Sequence, residues 1–260
     1  MGTGWVSHLC KTIIYGGQKM RQKSVWWGVV GIAVLLLAGC GGGSDGGAPT
    51  ATATTTATTT ALVPKADYRF QNTLASSVGT APDLVNIGGD INTFGTSTVD
   101  GQSRTVLNFP TSNGVSLATT TGVIANDTYS IVALFSFAEI GGYRRILDFK
   151  NSTSDGGLYF YNGTLWFYPV TATSTNPIAT STFVQVVLTR DVAKNVVGYV
   201  DGVQIISLTD TNDVGVVDIN NTLRVFKDDG GESSSGSVAR IRLYDSVLSA
   251  SEVAGLNRLP

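Results

Sequence analysis

The 260-residue chain has few of the side chains on which most nucleophilic and metal-dependent enzymes rely. Its one histidine is His8, and its two cysteines are Cys10 and Cys40. If the chain is processed at Cys40, the remainder has no histidine and a single cysteine. Ser-His-Asp and Cys-His catalysis and the common zinc sites are then excluded, because the side chains they need are missing. Intramolecular disulfides are excluded as well, so a folded domain must be held by its apolar core. Charge is also sparse, at 14% of residues. No cluster of Lys and Arg stands out beyond Arg144-Arg145, which argues against nucleic acid as a partner. The four basic residues up to position 40 have no acidic counterparts, so the remainder has nineteen acidic against thirteen basic residues, a net charge of −6.

Glycine is abundant, at 31 residues, with Thr, Ser and Val prominent beside it, a β-sheet composition. At the N-terminal end, Lys19, Arg21 and Lys23 precede an apolar run from Val25 to Leu37, which ends in Leu37-Ala38-Gly39-Cys40. This is the layout of a signal peptide, and the run is short for a helix that must span about 30 Å of hydrocarbon. The last four residues resemble a bacterial lipobox. The resemblance implies lipidation of Cys40, a membrane anchor and, with Gly41 following, an outer-membrane destination in a Gram-negative envelope. Met20 makes a better start than Met1, so residues 1–19 read as a mis-assigned extension, 20–40 as the signal and 41–66, rich in Gly and then Thr/Ala, as a flexible tether. The folded domain is expected over 67–260.

Within it, short β-prone runs alternate with Gly, Asn, Asp and Ser clusters. Strands are predicted at 67–70, 104–109, 128–137, 143–149, 157–161, 164–168, 182–190, 196–200, 203–208, 223–226 and 237–244, giving an all-β antiparallel sandwich or barrel. One short C-terminal helix is predicted after Ser249, which with Glu252 has capping-box spacing. Asn162-Gly163 and Asp201-Gly202 carry the signal of two-residue hairpin turns. The first sets a register: Tyr161 opposite Thr164, Phe160 opposite Leu165, Tyr159 opposite Trp166 and Leu158 opposite Phe167. One face of this hairpin is then Leu158, Phe160, Leu165 and Phe167, suited to a core. The other is Tyr159, Tyr161, Thr164, Trp166 and Tyr168, aromatic but with polar handles.

Four stretches resemble bacterial laminin-G-like, concanavalin-A-like domains: YRFQNTLASSVGTAPDL, GYRRILDFKNSTSDGGLYFYNGTLWFYP, VVLTRDVAKNVVGYVDGVQ and KDDGGESSSGSVARIRLYDSVLSASEVAGL. The resemblance covers about residues 66–258 and implies a jelly-roll sandwich of two antiparallel sheets. It leaves function open, because domains of this fold bind sugars, proteins or lipids, and some are glycosidases.

Two candidate sites follow. Tyr159, Tyr161, Trp166 and Tyr168 offer flat apolar rings with polar edges on which sugars can stack, unless a loop such as 171–181 covers them as extra core. Asp228, Asp229 and Glu232, in a Gly-rich turn, offer oxygen ligands for calcium, with Asp155 or Asp148 as further donors, unless the turn is merely solvated. The run Asp210 to Gly215 lacks the calcium-loop spacing of an EF-hand and is discarded. Arg144 and Arg145 alternate faces, so one is expected to pair with a nearby carboxylate. The glucanases of this fold carry an E-x-D-x-E run, which is absent here; the only glutamates are Glu139, Glu232 and Glu252. The expectation is a lipid-anchored, extracytoplasmic binding domain without catalysis, its partner a glycan or, alternatively, a cell-surface protein, with glycoside hydrolysis as the lesser alternative.

Overall fold

The computed structural model describes residues 62–170, 177–228 and 230–259. Cys40, the signal, the tether up to residue 61, Asp229 and residues 171–176 lie outside them. Fourteen strands and one helix are seen among the described residues. They are β1 (Ala66–Tyr68), β2 (Val85–Ile87), β3 (Thr93–Val99), β4 (Gln102–Phe109), β5 (Gly114–Leu117), β6 (Tyr129–Phe137), β7 (Tyr143–Asp148), β8 (Gly157–Tyr161), β9 (Thr164–Tyr168), β10 (Val184–Arg190), β11 (Asn195–Val200), β12 (Val203–Thr209), β13 (Leu223–Val225), β14 (Gly236–Tyr244) and α1 (Ala250–Ala254).

They form a jelly-roll sandwich. The larger sheet runs β12-β11-β10-β6-β14-β4-β3, with β1 pairing the second half of β14, and the smaller runs β2-β5-β13-β7-β8-β9. Every pairing is antiparallel. All eleven predicted strands are present. β2, β3 and β5 were not foreseen.

The inner faces meet in one apolar core. Alternate residues of β6, Ile131, Ala133, Phe135 and Phe137, point inward to Leu158, Phe160, Leu165 and Phe167 of the β8–β9 hairpin, and all are at most 2% exposed. Phe226 ties the layers together, stacking on Phe109 at 4.4 Å between centroids and meeting Phe135 at 5.0 Å. The opposite side of β6 is buried too. Val132 packs with Val187, Tyr199, Leu248 and Val253, and Leu134 packs with Val99, Val106 and Ala239. This burial on both faces explains why β6 reads as a nearly unbroken apolar run.

Helix α1 supplies part of that outer cover. Ser249 caps it: its hydroxyl accepts from the Glu252 backbone while the Glu252 carboxylate accepts from Ser249 N–H, the reciprocal box expected from the spacing. The helix buries Val253, and Ser130 fastens the preceding segment by donating to Ser246 O at 2.7 Å and accepting from Leu248 N at 2.8 Å.

Candidate functional site

The β8–β9 hairpin has the predicted register, Tyr161 opposite Thr164 through to Leu158 opposite Phe167, with Tyr168 opposite Gly157. Asn162 and Gly163 both take positive φ, 49° and 78°, as the tight turn requires. Strand β7 extends the face, placing Tyr143 opposite Tyr161 and Arg145 opposite Tyr159. The outward face of the smaller sheet therefore carries five aromatic rings, not four.

Tyr143 is the hub. Its ring centroid lies 4.4 Å from Tyr161, 5.6 Å from Tyr159, 5.6 Å from Tyr168 and 6.5 Å from Trp166, mostly edge-to-face. Tyr161 and Trp166 close the group at 5.6 Å. Desolvation, followed by the neighbouring Tyr161, Tyr168 and Glu232, pushes the Tyr143 phenol above its ordinary pKa.

The rings differ in exposure. Tyr161 is 37% exposed; Tyr143, Trp166 and Tyr168 are half-buried; Tyr159 is 1% exposed. Tyr159 is thus a floor and not a contact surface: the Arg145 guanidinium stands over its ring at 4.5 Å, and its hydroxyl donates to Asp155 O at 2.9 Å. The Trp166 Nε1 is buried without a hydrogen-bond acceptor among the described residues. Of the segment considered as a cover, Ile178 donates its N–H to Gly163 O and joins the inter-sheet core.

The acidic turn and the aromatic face, separate in the sequence, share one centre. Phe226 takes a left-handed φ of 70° at the end of β13, and its N–H donates to Ile146 O, where β7 bulges. The chain returns so that Glu232 O accepts from Arg145 N at 2.7 Å. The turn in between delivers Asp228 to the buried Arg145 side chain: Arg145 Nε donates to Asp228 Oδ1 at 2.6 Å. Gly157 makes room for it. A Cβ there would meet Leu147 O at 2.4 Å and the Arg145 Nη1 at 3.0 Å.

Asp228 is therefore held as an ion-pair partner. Its other oxygen accepts from Gly230 N at 2.9 Å and Glu232 N at 3.2 Å. Burial alone would raise its pKa, but the Gly230 N–H and the Arg145 guanidinium outweigh it and hold the carboxyl below the usual range. Both Asp228 oxygens are thus taken by donors, the surroundings of a structural carboxylate. Asp148 is likewise committed, accepting from Lys150 N and Ser152 N at 2.8 and 2.7 Å. Asp155 is exposed, with Oδ1 4.0 Å from Arg145. Among the described residues no three His, Cys, Asp or Glu side chains converge to hold a metal.

The two adjacent arginines part company as expected. Arg144 opposes Phe160 and pairs with Glu139 at 3.2 Å, whereas Arg145 opposes Tyr159. The discarded run from Asp210 to Gly215 is a structural loop: Asp210 accepts from Arg190 Nε, Val214 N and Gly215 N.

Comparison with known proteins agrees with this architecture. Residues 108–254 match the Laminin_G_3 family, described as the concanavalin A-like lectin/glucanases superfamily, and the chain belongs to it. Among solved structures, domain 4 of AbnA, an extracellular GH43 arabinanase from Geobacillus stearothermophilus in complex with arabinotriose, superimposes with a TM-score of 0.61 at 18% identity, covering 74% of this chain and 97% of that one. The binding domain of botulinum neurotoxin DC, in complex with rat synaptotagmin II, gives 0.53 at 12% identity over 74% of this chain and 50% of the other. This chain thus spans about half of the neurotoxin domain. No curated protein matches the sequence. At these identities the likeness concerns the fold, and a superfamily of lectins and glucanases leaves binding or hydrolysis to be argued from the site.

Proposed function

We propose that the domain is a carbohydrate-binding module whose ligand packs on Tyr161, Trp166, Tyr168 and Tyr143. The observation that carries this reading is the cluster of five rings on the outward face of the smaller sheet, with Tyr161 exposed at its edge. Pyranose and furanose C–H faces pack on such rings while hydroxyls bond to the phenols at their edges. Tyr159 and the Arg145–Asp228 pair form a rigid support beneath. The complex of the similar arabinanase domain with arabinotriose is consistent with a glycan ligand on this fold.

Catalysis is not part of the proposal. A glycosidase needs one carboxylic acid whose pKa is raised so that it can donate a proton. Asp228 is held the other way, by hydrogen bonds and a guanidinium, and Asp148 is tied into a backbone turn. We further propose that the domain is presented outside the cytoplasm from a lipid on Cys40, through the tether that precedes β1. The test is a glycan array on the protein and on Trp166→Ala, with reducing-sugar release measured on every glycan bound. The proposal expects a bound glycan that is lost in the variant and left uncleaved. Binding of a protein and no glycan through the same residues would favour the adhesive alternative.

A further inference from the structure

A second site is built on the outer face of the larger sheet. A cavity of about 490 Å³ lies where the N-terminal segment enters the domain, lined by Leu62, Pro64, Val78, Leu248 and Leu256 on its apolar part. Its polar part is dominated by cations: Arg69, Arg240 and Arg242, with Asp67 and Glu252 as the carboxylates. The volume falls in the range of small-molecule sites.

The charges in this wall do not balance. Asp67 serves two arginines, accepting from Arg240 Nε at 2.7 Å and Nη2 at 2.9 Å, and from Arg69 Nε at 2.7 Å. Glu252 is committed to the capping box of α1. Arg242 is 3% exposed, and among the described residues no carboxylate pairs with it. Among the described residues its partners are neutral: Gln185 Oε1 at 3.2 Å, Asn257 Oδ1 at 3.1 Å, Asn257 O at 2.9 Å and the Tyr244 phenol. Its Nε is buried with no acceptor among the described residues. Among the described residues Arg240 Nη1 beside it reaches Asn257 O, Asn257 Oδ1 and Arg258 O at a long 3.5 Å. A buried guanidinium facing neutral acceptors is costly, and the cost falls when an anion enters. Burial accordingly holds the Arg242 pKa below its ordinary value.

We propose that this cavity binds an anionic head group carried on an apolar body, a phosphate monoester or carboxylate amphiphile, with Arg242 and Arg240 supplying the counter-charge and the leucines receiving the apolar part. The head group is the shared chemistry of a lipid and of a soluble organic acid or phosphate, and the presence or absence of an alkyl chain separates the two.

The experiment is a thermal-shift titration of the full chain with octyl phosphate, octanoate, inorganic phosphate and, as the uncharged control with the same tail and no sugar, 1-octanol. The expected result is a rise in Tm that saturates with the two octyl anions and is absent with 1-octanol. Inorganic phosphate is expected to act about tenfold more weakly, having lost the apolar contacts. Arg242→Lys retains the charge but not the planar fork, and is expected to weaken octyl phosphate binding about tenfold. Because Arg242 is buried, each variant is read against its own ligand-free Tm, and the accessible Arg69→Gln provides a variant that keeps the core intact and is expected to weaken binding severalfold. An equal shift with 1-octanol, or unchanged affinity in both variants, would overturn the proposal. An equal response to inorganic phosphate would overturn its apolar half.

Discussion

Arg145 stands over the ring of Tyr159, its guanidinium carbon 4.5 Å from the centroid, and so joins the aromatic face to the acidic turn. The same side chain reaches Asp228 across 83 positions of sequence. A cation sandwiched between a ring and a carboxylate fixes the strand, the turn and the floor of the ligand face at once.

This makes the pair a stability element. Asp228→Ala leaves Arg145 buried without its closest carboxylate, and breaking a buried pair in this way costs about 3–5 kcal/mol. For a domain of this size each kcal/mol is about 2–4 °C in Tm. Thermal denaturation should therefore show a fall of roughly 10 °C, and calcium should not restore it. Restoration by calcium would return the turn to the role of a metal site.

The acid limb of stability follows from the same group. Asp228 and Asp67 are both held below the ordinary 3.8 in the folded state, in each case because hydrogen bonds from backbone or arginine donors outweigh burial. A folded pKa below the unfolded one contributes stability that is fully present above about pH 4 and is lost as the pH falls through the folded value. Chemical denaturation across pH 2 to 6 should show the decline below pH 4. In Asp228→Asn the decline should be shallower, from a lower plateau.

Gly157→Ala tests the packing around the guanidinium. The added methyl meets Leu147 O at 2.4 Å and Arg145 Nη1 at 3.0 Å, and overpacking of this kind costs about 1–3 kcal/mol. Reduced urea resistance is expected, together with weaker glycan binding as the floor shifts. Unchanged stability would show that β8 has room which the geometry denies it.

Ligand contact and structural support should separate by residue. Tyr161→Ala, at the exposed edge, should lower glycan affinity about tenfold with little change in Tm. Tyr159→Ala, which empties a buried site, should cost about 3–5 kcal/mol in stability. Calorimetric titration beside a melt distinguishes the two effects.

Much of this was legible before the fold was known, for reasons that differ by element. The β8–β9 register follows from a two-residue turn, because Asn162-Gly163 leaves one way to pair its strands. Tyr143 escaped notice because β7 and β8 are joined by a longer connection and β7 bulges at Ile146, so no turn sets their register. Strand β3 was missed although Asp100-Gly101 carries the same turn signal, with φ of 49° and 76°; its Thr- and Ser-rich run lies at a sheet edge, largely exposed, and lacks the apolar alternation of an inner strand. The ion pair of Asp228 was not legible in the acidic turn, because Asp in a Gly-rich turn suits both a cation and a capped ion pair. Its partner is distant in sequence, and only the fold brings the two together.

The most direct measurement of the central claim uses Trp166 as its own reporter. With Trp5, Trp26 and Trp27 replaced by Phe, the full chain carries a single indole, which lies in the aromatic cluster. Titration with the strongest glycan from the array should change its emission with the same Kd that calorimetry gives. A glycan that binds by calorimetry while the Trp166 emission stays constant would contradict the account, because the ligand would then sit elsewhere on the domain.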